Sequence, residues 1–125
     1  MELELKYLAP YLPYKLKLVA RNVISETPRK IYSELTAMNI MSLVEEDTLY
    51  KPILRNLSDL TNKNSSELKS KYQINNDIIF WIQELTVKNT NIKYLTVEAY
   101  TFLLEHHFDT FDLIKNGLAI DMNTL

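Results

Sequence analysis

The chain has no cysteine and only one glycine, Gly117, and both shortages exclude whole classes of functional site. Without cysteine it can form no disulfide, zinc ribbon or iron–sulfur cluster, and it has no thiol nucleophile. The glycine-rich loops that bind nucleotide phosphates need several glycines at fixed spacing, so no such loop can be built from this sequence. We therefore predict no nucleotide cofactor, and no other cofactor is indicated.

Long apolar runs are also missing from the sequence. Ile78–Ile82 is among the longest, whereas a membrane-spanning helix needs about 20 apolar residues in succession. Charged residues interrupt the N-terminal stretch Met1–Lys6, so we expect no signal peptide there. These two absences predict a protein that acts in the cytoplasm and has no membrane partner.

The composition is that of an ordinary globular domain. Of the 125 residues, 46% are hydrophobic and 24% are charged, a balance that is typical of folded proteins rather than disordered ones. The length is close to the commonest size of one domain, and it is enough to bury a core without disulfides. We therefore predict a single domain over residues 1–125.

The first half of the chain has the pattern of short strands. In Lys15–Arg21 the apolar residues Leu16, Leu18 and Ala20 fall on one face and both lysines on the other, which is the period of a half-buried strand. Tyr50–Leu54 should be extended, because a proline biases the residue before it away from helical backbone angles.

Two further segments, residues 29–37 and 40–45, are rich in β-branched and apolar residues and are predicted as strands. A helix is the alternative, because Ile31, Leu35 and Met38 also lie at helical spacing. Both interpretations stay open on the sequence alone.

The second half of the chain has the pattern of helices. Asn64 followed by Glu67 is typical of a capping box, and Asp77 is a candidate N-cap for a helix over Ile78–Lys88. The apolar residues of that helix recur at the spacing of a core-facing stripe: Ile78, Trp81, Ile82 and Leu85. We therefore expect Trp81 to be a structural residue of the core.

The last predicted helix begins after Thr96, a candidate N-cap, and extends to residue 116. Its apolar face consists of Val97, Tyr100, Leu104, His107, Phe108, Phe111 and Ile114, so His107 is expected to be a core histidine. Gly117 follows where this periodicity stops, and we expect it to end the helix with a positive φ. The turn would return Leu118 and Ile120 onto the helices, which makes Gly117 a structural residue.

Strands followed by helices, rather than alternating with them, predict an α+β fold. The expected arrangement is a small N-terminal curved sheet or barrel packed with a C-terminal layer of two to three helices. We assign a strand-rich part to residues 1–60, a helical part to 64–117 and a C-terminal tail to 118–125.

Three stretches of the sequence are similar to a known family. The first is Leu8–Tyr14, and the second is Lys51–Arg55 with Leu57–Leu60. The third consists of His107–Asp109, Phe111, Leu113–Ile114, Gly117–Asp121 and Asn123–Leu125. In this order and spacing they resemble a family of short, uncharacterised proteins encoded by phages, prophages and mobile elements of Bacteroidetes. The resemblance implies a bacterial host cytoplasm but no activity. It also leads us to expect a glycine and a proline where this chain has Lys15 and Asn56, so the local turn geometry is in question at both positions.

The residues that look most like a catalytic or metal site lie in the last predicted helix. There Glu105, Asp109 and Asp112 would share one face with His106 beside them, as in a carboxylate–imidazole site. No His-Glu-x-x-His or doubled Glu-x-x-His motif is present to complete a set of metal ligands. We therefore predict no metal site and no catalytic residue, and we expect these acids to be solvated.

The N-terminal region interleaves aromatic and basic side chains: Tyr11, Tyr14, Lys15, Lys17 and Arg21. Such surfaces bind single-stranded nucleic acids, because bases stack on the rings and phosphates contact the cations. The alternative is that the tyrosines bury their rings in the core and hydrogen-bond through their hydroxyls. A net charge of −2 and a pI near 5.7 favour that alternative, since nucleic-acid-binding domains are usually basic.

The sequence therefore predicts a non-catalytic accessory protein of a phage or mobile element that acts by binding another protein or by self-association. Nucleic-acid binding through the N-terminal surface is the alternative function, and a minor structural role in a virion is a third. No small-molecule substrate is indicated. Arg55 and Asp59 are expected to form a local ion pair.

Overall fold

The structure is a computed structural model that describes residues 2–22, 29–45, 50–61, 64–87 and 95–125. These residues form a sheet and a set of helices, which confirms the predicted α+β class. None of the helices in these ranges is long and apolar enough to cross a membrane.

The sheet is mixed and open at both sides in the described ranges. Its strands are β1 (Lys17–Asn22), β2 (Arg29–Glu34), β3 (Lys51–Leu54) and β4 (Ile120–Asp121). They lie in the order β2-β1-β3-β4, with β1 antiparallel to β2 and β3, and β4 parallel to β3. β4 comes from the C-terminal tail, so the sheet is not purely N-terminal as expected.

The described part of the chain also contains six α-helices and two 3₁₀ segments, Ala9–Tyr14 and Met122–Thr124. The helices are α1 (Leu5–Leu8), α2 (Ile40–Val44), α3 (Ser58–Thr61), α4 (Ser65–Tyr72), α5 (Asn76–Val87) and α6 (Val97–Glu105). α4, α5 and α6 lie in the part of the chain that the sequence predicts as helical.

α2 occupies residues that are predicted as a strand, so that prediction is wrong. After β2, the Thr36 N–H donates to Asn39 Oδ1 (2.8 Å) and the Asn39 N–H donates to Thr36 Oγ1 (3.2 Å). This local bonding gives the backbone an alternative to the sheet and ends the extended segment. Ile40 and Leu43 then fall on one face of the helix, and both are buried.

The starts of α4 and α5 depend on asparagine side chains. Asn64 Oδ1 accepts the Glu67 N–H at 2.9 Å, which confirms the predicted cap. For α5 the capping side chain is that of Asn75, whose Oδ1 accepts the Ile78 N–H at 3.0 Å, so the prediction of Asp77 is wrong. Asp77 lies in the first turn, where a negative charge interacts favourably with the helix dipole.

The predicted apolar stripe of α5 is buried at Ile78 and Ile82 but less so at Trp81. Trp81 is half-buried, and Phe80 packs edge-on against it with 5.4 Å between the ring centroids. The Leu85 side chain lies outside the described residues. Trp81 therefore lies at the edge of the core rather than inside it.

α6 begins where the sequence predicts. Thr96 Oγ1 accepts the Ala99 N–H at 3.2 Å, which confirms Thr96 as the N-cap. Val97 is 84% exposed, however, so it does not belong to the apolar face. The buried residues of this helix are Ala99, Phe102, Leu103 and Leu104.

α6 ends at Glu105 and not at residue 116, where the sequence predicts its end. His107 has a positive φ of 61°, and the Phe108 N–H turns back to donate to Leu103 O at 2.8 Å. This is a Schellman arrangement, which terminates a helix. The apolar residues that follow are accommodated in a series of turns, so their helical spacing does not reflect a helix.

Gly117 has a φ of 75°, which confirms the predicted left-handed turn. Its N–H donates to Ile114 O at 3.1 Å, and the Leu118 N–H donates to Leu113 O at 2.9 Å. These are the two hydrogen bonds of a Schellman turn. Because α6 ends before this point, the turn at Gly117 terminates a short loop and not the long helix that the sequence predicts.

The tail beyond Gly117 adds to the sheet. Ile120 pairs with Ile53 of β3, so the predicted return of Ile120 onto the helices is wrong. Asn123 Nδ2 then donates to Asp59 Oδ2 at 2.8 Å, which attaches the last 3₁₀ segment to α3.

The buried apolar residues form two clusters. The first lies between the N-terminal segment and one face of the sheet, and it includes Leu8, Tyr11, Leu16, Leu18, Leu54, Leu104 and Leu113. The second lies among the helices, and it includes Leu60, Leu68, Ile78, Ile82, Phe102, Leu103 and Phe108. α6 joins the two, because Leu104 belongs to the first cluster and Leu103 to the second.

Candidate functional site

Tyr11, predicted as part of a nucleic-acid surface, is fully buried. Its hydroxyl donates to Phe108 O and lies 3.0 Å from Thr110 Oγ1, and the Thr110 N–H donates to it at 3.1 Å. Burial raises the pKa of Tyr11 well above its ordinary value, because the phenolate would be desolvated. Its ring is not accessible to a base, so this part of the predicted surface is wrong.

The other members of that predicted surface have different positions. Tyr14 is half-buried, whereas Lys15 and Lys17 are exposed on either side of the buried Leu16. Lys15 follows the first 3₁₀ segment with a positive φ of 54°. The Arg21 side chain lies outside the described residues.

His107 is half-buried and is bonded to the N-terminal segment. Its Nε2 lies 2.6 Å from Tyr14 O. Because a carbonyl oxygen only accepts, Nε2 carries the hydrogen in this contact. His107 and the Tyr11 hydroxyl therefore attach the first 3₁₀ segment to residues 107–110.

Asp109 is buried, and both oxygens of its carboxylate accept backbone hydrogen bonds. Oδ1 accepts the N–H groups of Phe111 and Leu113 at 3.3 and 3.0 Å, and Oδ2 accepts that of Ile114 at 2.9 Å. The carboxylate thus caps the turns that follow it, in the way that an N-cap side chain caps a helix. These three hydrogen bonds are enough to explain why the Asp109 carboxylate is buried, so its burial does not indicate a metal site.

The other three residues of the expected acid–imidazole cluster do not complete a metal site. Glu105 and Asp112 are exposed, and the His106 ring packs against Phe102 with 4.7 Å between centroids. Burial lowers the pKa of His106, and the positive charge of Arg55 lowers it further. No group of three or more His, Asp or Glu side chains within the described ranges is placed to hold a metal ion.

A groove of about 550 Å³ lies on the opposite face of the sheet from the first core cluster. The described residues that line it combine basic side chains with apolar and aromatic ones: Lys17, Tyr32, Ile53, Arg55, His107, Met122 and Leu125.

Strand register explains why several of these residues share one face. Val19 of β1 lies opposite Tyr32 of β2 and opposite Lys51 of β3. Because side chains alternate along a strand, Lys17 and Ile53 project on the same face as Val19. Ile53 is buried in the floor of the groove, whereas the Tyr32 ring is 54% exposed.

Arg55 lies at the junction between the sheet and the segment after α6. Its backbone bridges that segment, because its N–H donates to His107 O and its carbonyl accepts the Asp109 N–H, both at 2.8 Å. Its guanidinium carbon lies 6.0 Å from the centre of the Phe108 ring. Arg55 Nε is buried and has no hydrogen-bond partner among the described residues.

The predicted ion pair between Arg55 and Asp59 is absent from the described part of the chain. Asp59 accepts a hydrogen bond from Asn123 Nδ2 instead. The spacing of the two residues suits a helix, but Arg55 forms a β-bridge and α3 begins only at Ser58. The Arg55 guanidinium is consequently not neutralised by that carboxylate.

β2 presents a second candidate surface, since in the described ranges it pairs only with β1. The Leu35 N–H donates to Leu16 O at 2.7 Å, so the odd-numbered residues of this segment bond toward β1. The backbone groups of Lys30, Tyr32 and Glu34 therefore point to the open side. This open side of β2 is called its free edge below.

Sequence reasoning misses most of the groove because its residues come from distant segments. Tyr32, Arg55 and Met122 meet only through the sheet order, in which the tail reaches β3. The one local signal is the β-branched and apolar content of residues 29–37, which is typical of a strand.

The chain matches no protein-family model, no curated protein and no solved structure. The resemblance to mobile-element proteins accordingly stays a prediction.

Proposed function

We propose that the protein is a non-catalytic interaction protein that self-associates by pairing β2 with β2 of a second copy. The observation that carries this proposal is the free edge of β2, whose central residue Tyr32 has a 54% exposed side chain. An unpaired edge is a template for strand addition, because its N–H and C=O groups seek partners.

The sequence of β2 suits antiparallel pairing with itself. Two copies related by a two-fold axis at Tyr32 would place Tyr32 opposite the partner's Tyr32 and Lys30 opposite the partner's Glu34. These are the same residues whose backbone groups point to the free edge, so the register forms hydrogen-bonded pairs. Facing aromatic rings and opposite charges are both favourable cross-strand pairs.

One contact limits the length of this pairing. Asn39 Nδ2 donates to Glu34 O at 2.7 Å, which occupies one position of that carbonyl at the end of the strand. The N–H of Glu34 and the central groups of Tyr32 do not take part in this contact. The pairing is therefore expected to be short, and the dimer to be weak and dependent on concentration.

The use of the titratable side chains supports a non-catalytic function. Asp109 caps a turn, His107 bonds to a carbonyl and the Tyr11 hydroxyl is buried among three polar groups. Each of them holds the fold together instead of facing a substrate.

Sedimentation velocity over a range of concentrations tests the pairing with two matched variants. Lys30→Pro removes the outward N–H at an edge position where proline is tolerated, whereas Lys30→Ala removes the same side chain and keeps the N–H. We expect the wild type to dimerise, Lys30→Ala to dimerise more weakly because it loses the two Lys30–Glu34 pairs, and Lys30→Pro to stay monomeric. A monomeric wild type, or equal dimerisation of the two variants, would contradict the proposal.

A second variant covers the case in which Lys30→Pro fails to fold. Tyr32→Lys changes an exposed side chain and places two positive charges opposite each other at the two-fold axis, so the dimer should weaken. Circular dichroism would establish that each variant is folded, and a folded Tyr32→Lys that dimerises like the wild type would overturn the proposed register.

The biological setting rests on the sequence resemblance. An accessory role in a phage or mobile element, a virion role and a cytoplasmic location are all proposals. The genes that lie beside the coding sequence test the first two. A coding sequence among tail genes would favour the virion role, and one among replication genes would favour the accessory role.

A further inference from the structure

We propose that the groove on the sheet binds single-stranded nucleic acid, with a phosphate at Arg55 and Lys17 and a base on the Tyr32 ring. The groove shares the Tyr32 ring with the proposed β2 pairing, whereas its cations Lys17 and Arg55 lie outside β2. It differs from the surface that the sequence predicts, because it keeps Lys17, replaces the buried Tyr11 with Tyr32, and gains Arg55.

The charge of the groove indicates an anionic ligand. Lys17 and Arg55 give it positive charge, and Glu34, the cross-strand neighbour of Lys17, lies on the same face of the sheet but outside the groove lining. The guanidinium of Arg55 is the more specific element, since it forms no salt bridge with a carboxylate of the described residues. A guanidinium binds phosphate oxygens through paired N–H groups, a geometry that a lysine ammonium does not offer.

The apolar part of the groove indicates a flat, uncharged group beside that anion. The Tyr32 ring is 54% exposed, and Ile53, Met122 and Leu125 line the same space. A nucleotide base stacks on an exposed aromatic ring whatever its sequence, while the phosphate beside it contacts the cations. An acidic peptide would satisfy the charges and leave the Tyr32 ring without a specific role.

The single-stranded form follows from the position of Tyr32. The bases of a duplex are already stacked on each other, so they are not available to a ring in the wall of a groove. Unpaired bases are available, and the backbone of a single strand is flexible enough to enter a concave site.

The proposal is tested by the fluorescence anisotropy of a labelled oligothymidylate titrated with the protein at several salt concentrations. Each phosphate contact on a single strand contributes a slope of about 0.7 in log affinity against log salt. Two contacts would therefore weaken binding by about sevenfold between about 50 and about 200 mM salt. The Lys30→Pro variant, titrated in parallel, shows whether the groove works without β2 pairing.

Three variants separate the two parts of the ligand, and one is a control. Lys17→Gln and Arg55→Gln should each reduce the salt slope by about 0.7. Tyr32→Leu keeps an apolar side chain but removes the ring, so it should weaken binding by about tenfold with an unchanged slope. Lys69→Gln removes an exposed lysine of α4 outside the groove and should leave binding unchanged.

Several outcomes would overturn the site. Absence of binding at low salt would do so, as would an equal effect of Lys69→Gln and Lys17→Gln. Displacement of the oligothymidylate by polyglutamate at the same concentration of charge would show that the groove recognises acidic peptides instead. Because Lys17 is exposed, Lys17→Gln keeps the test valid even if Arg55→Gln is unstable.

Discussion

Four residues other than glycine have left-handed backbone angles in the described part of the chain: Lys15, Gln73, His107 and Asp112. Such angles crowd the Cβ atom of an L-residue, and glycine alone avoids this cost. In a chain with a single glycine, most of these positions fall to other residues. Position 15 is also where the family resemblance leads us to expect glycine, and its φ of 54° gives that expectation a physical basis.

Lys15→Gly is expected to raise the free energy of unfolding by about 0.5–1 kcal/mol, measured by urea denaturation. The strain at a left-handed residue is about 1–2 kcal/mol, and the added freedom of the unfolded chain offsets part of its removal. Lys17→Gly is the matched control, because it makes the same change in a strand and should destabilise by about 0.5–1 kcal/mol.

The reverse change at Gly117 provides a second comparison. A Cβ at Gly117 would meet no atom within 4 Å, so Gly117→Ala should lose about 1 kcal/mol through the positive φ alone. If both Lys15→Gly and Gly117→Ala proved neutral, the backbone angles would not be the cause.

At the scale of elements, buried polar contacts connect the first 3₁₀ segment to the chain after α6. There Tyr11 hydrogen-bonds to Phe108 and Thr110, which lie 97 and 99 residues after it in the sequence. The segment after α6 is also held from its other side, where Arg55 bridges it to the sheet. Contacts on both sides explain why α6 ends at Glu105 although the apolar spacing continues.

Tyr11→Phe is expected to lower the free energy of unfolding by about 1–3 kcal/mol. The change keeps the ring but leaves the buried polar groups of Phe108 and Thr110 without their partner. Thermal or urea denaturation measures the effect, and Tyr32→Phe is the control, because loss of an exposed hydroxyl should change stability by less than about 0.5 kcal/mol.

Alkaline pH gives an independent readout of the same hydroxyl. The pKa of Tyr11 is raised in the folded chain above its ordinary value of 10.0, so the folded state keeps a proton that the unfolded state loses. Its contribution is complete below pH 10.0 and is lost as the pH rises further. The free energy of unfolding of Tyr11→Phe should therefore fall less than that of the wild type as the pH rises above this value. An identical pH dependence of stability in the two proteins would show that the Tyr11 hydroxyl is not buried.

Local signals account for the parts of these elements that the sequence predicts. The caps of Asn64 and Thr96 and the turn at Gly117 depend on residues within one turn of each other, so the sequence shows them directly. The end of α6 and the existence of β4 depend on pairing between distant segments, as at Ile53 and Ile120, and no local pattern indicates them.

At the scale of the whole molecule, the α+β class follows from the order of strand and helix patterns, whereas the candidate surfaces do not. The groove requires β4 to reach β3, and the free edge requires β2 to lie outside β1. Both features depend on the order of the strands in the sheet, and the predicted elements alone do not determine that order. The sequence also does not predict the two core clusters, since the neighbouring residues Leu103 and Leu104 of α6 belong to different clusters.

The shared helix predicts that both clusters unfold in one transition. Leu18→Ala, a large-to-small change in the first cluster, should lower stability by about 2–5 kcal/mol. Trp81 lies on α5 among the helices, so its fluorescence reports on the other part of the molecule. Because Leu103 and Leu104 of α6 connect the two clusters, the variant should shift the urea midpoint of Trp81 fluorescence as far as the midpoint measured by far-ultraviolet circular dichroism.

Ile31→Ala, at a 43% exposed position of β2, is the control that should shift both midpoints little. A Trp81 transition that stays in place while circular dichroism moves would show that the sheet and the helices are separate folding units.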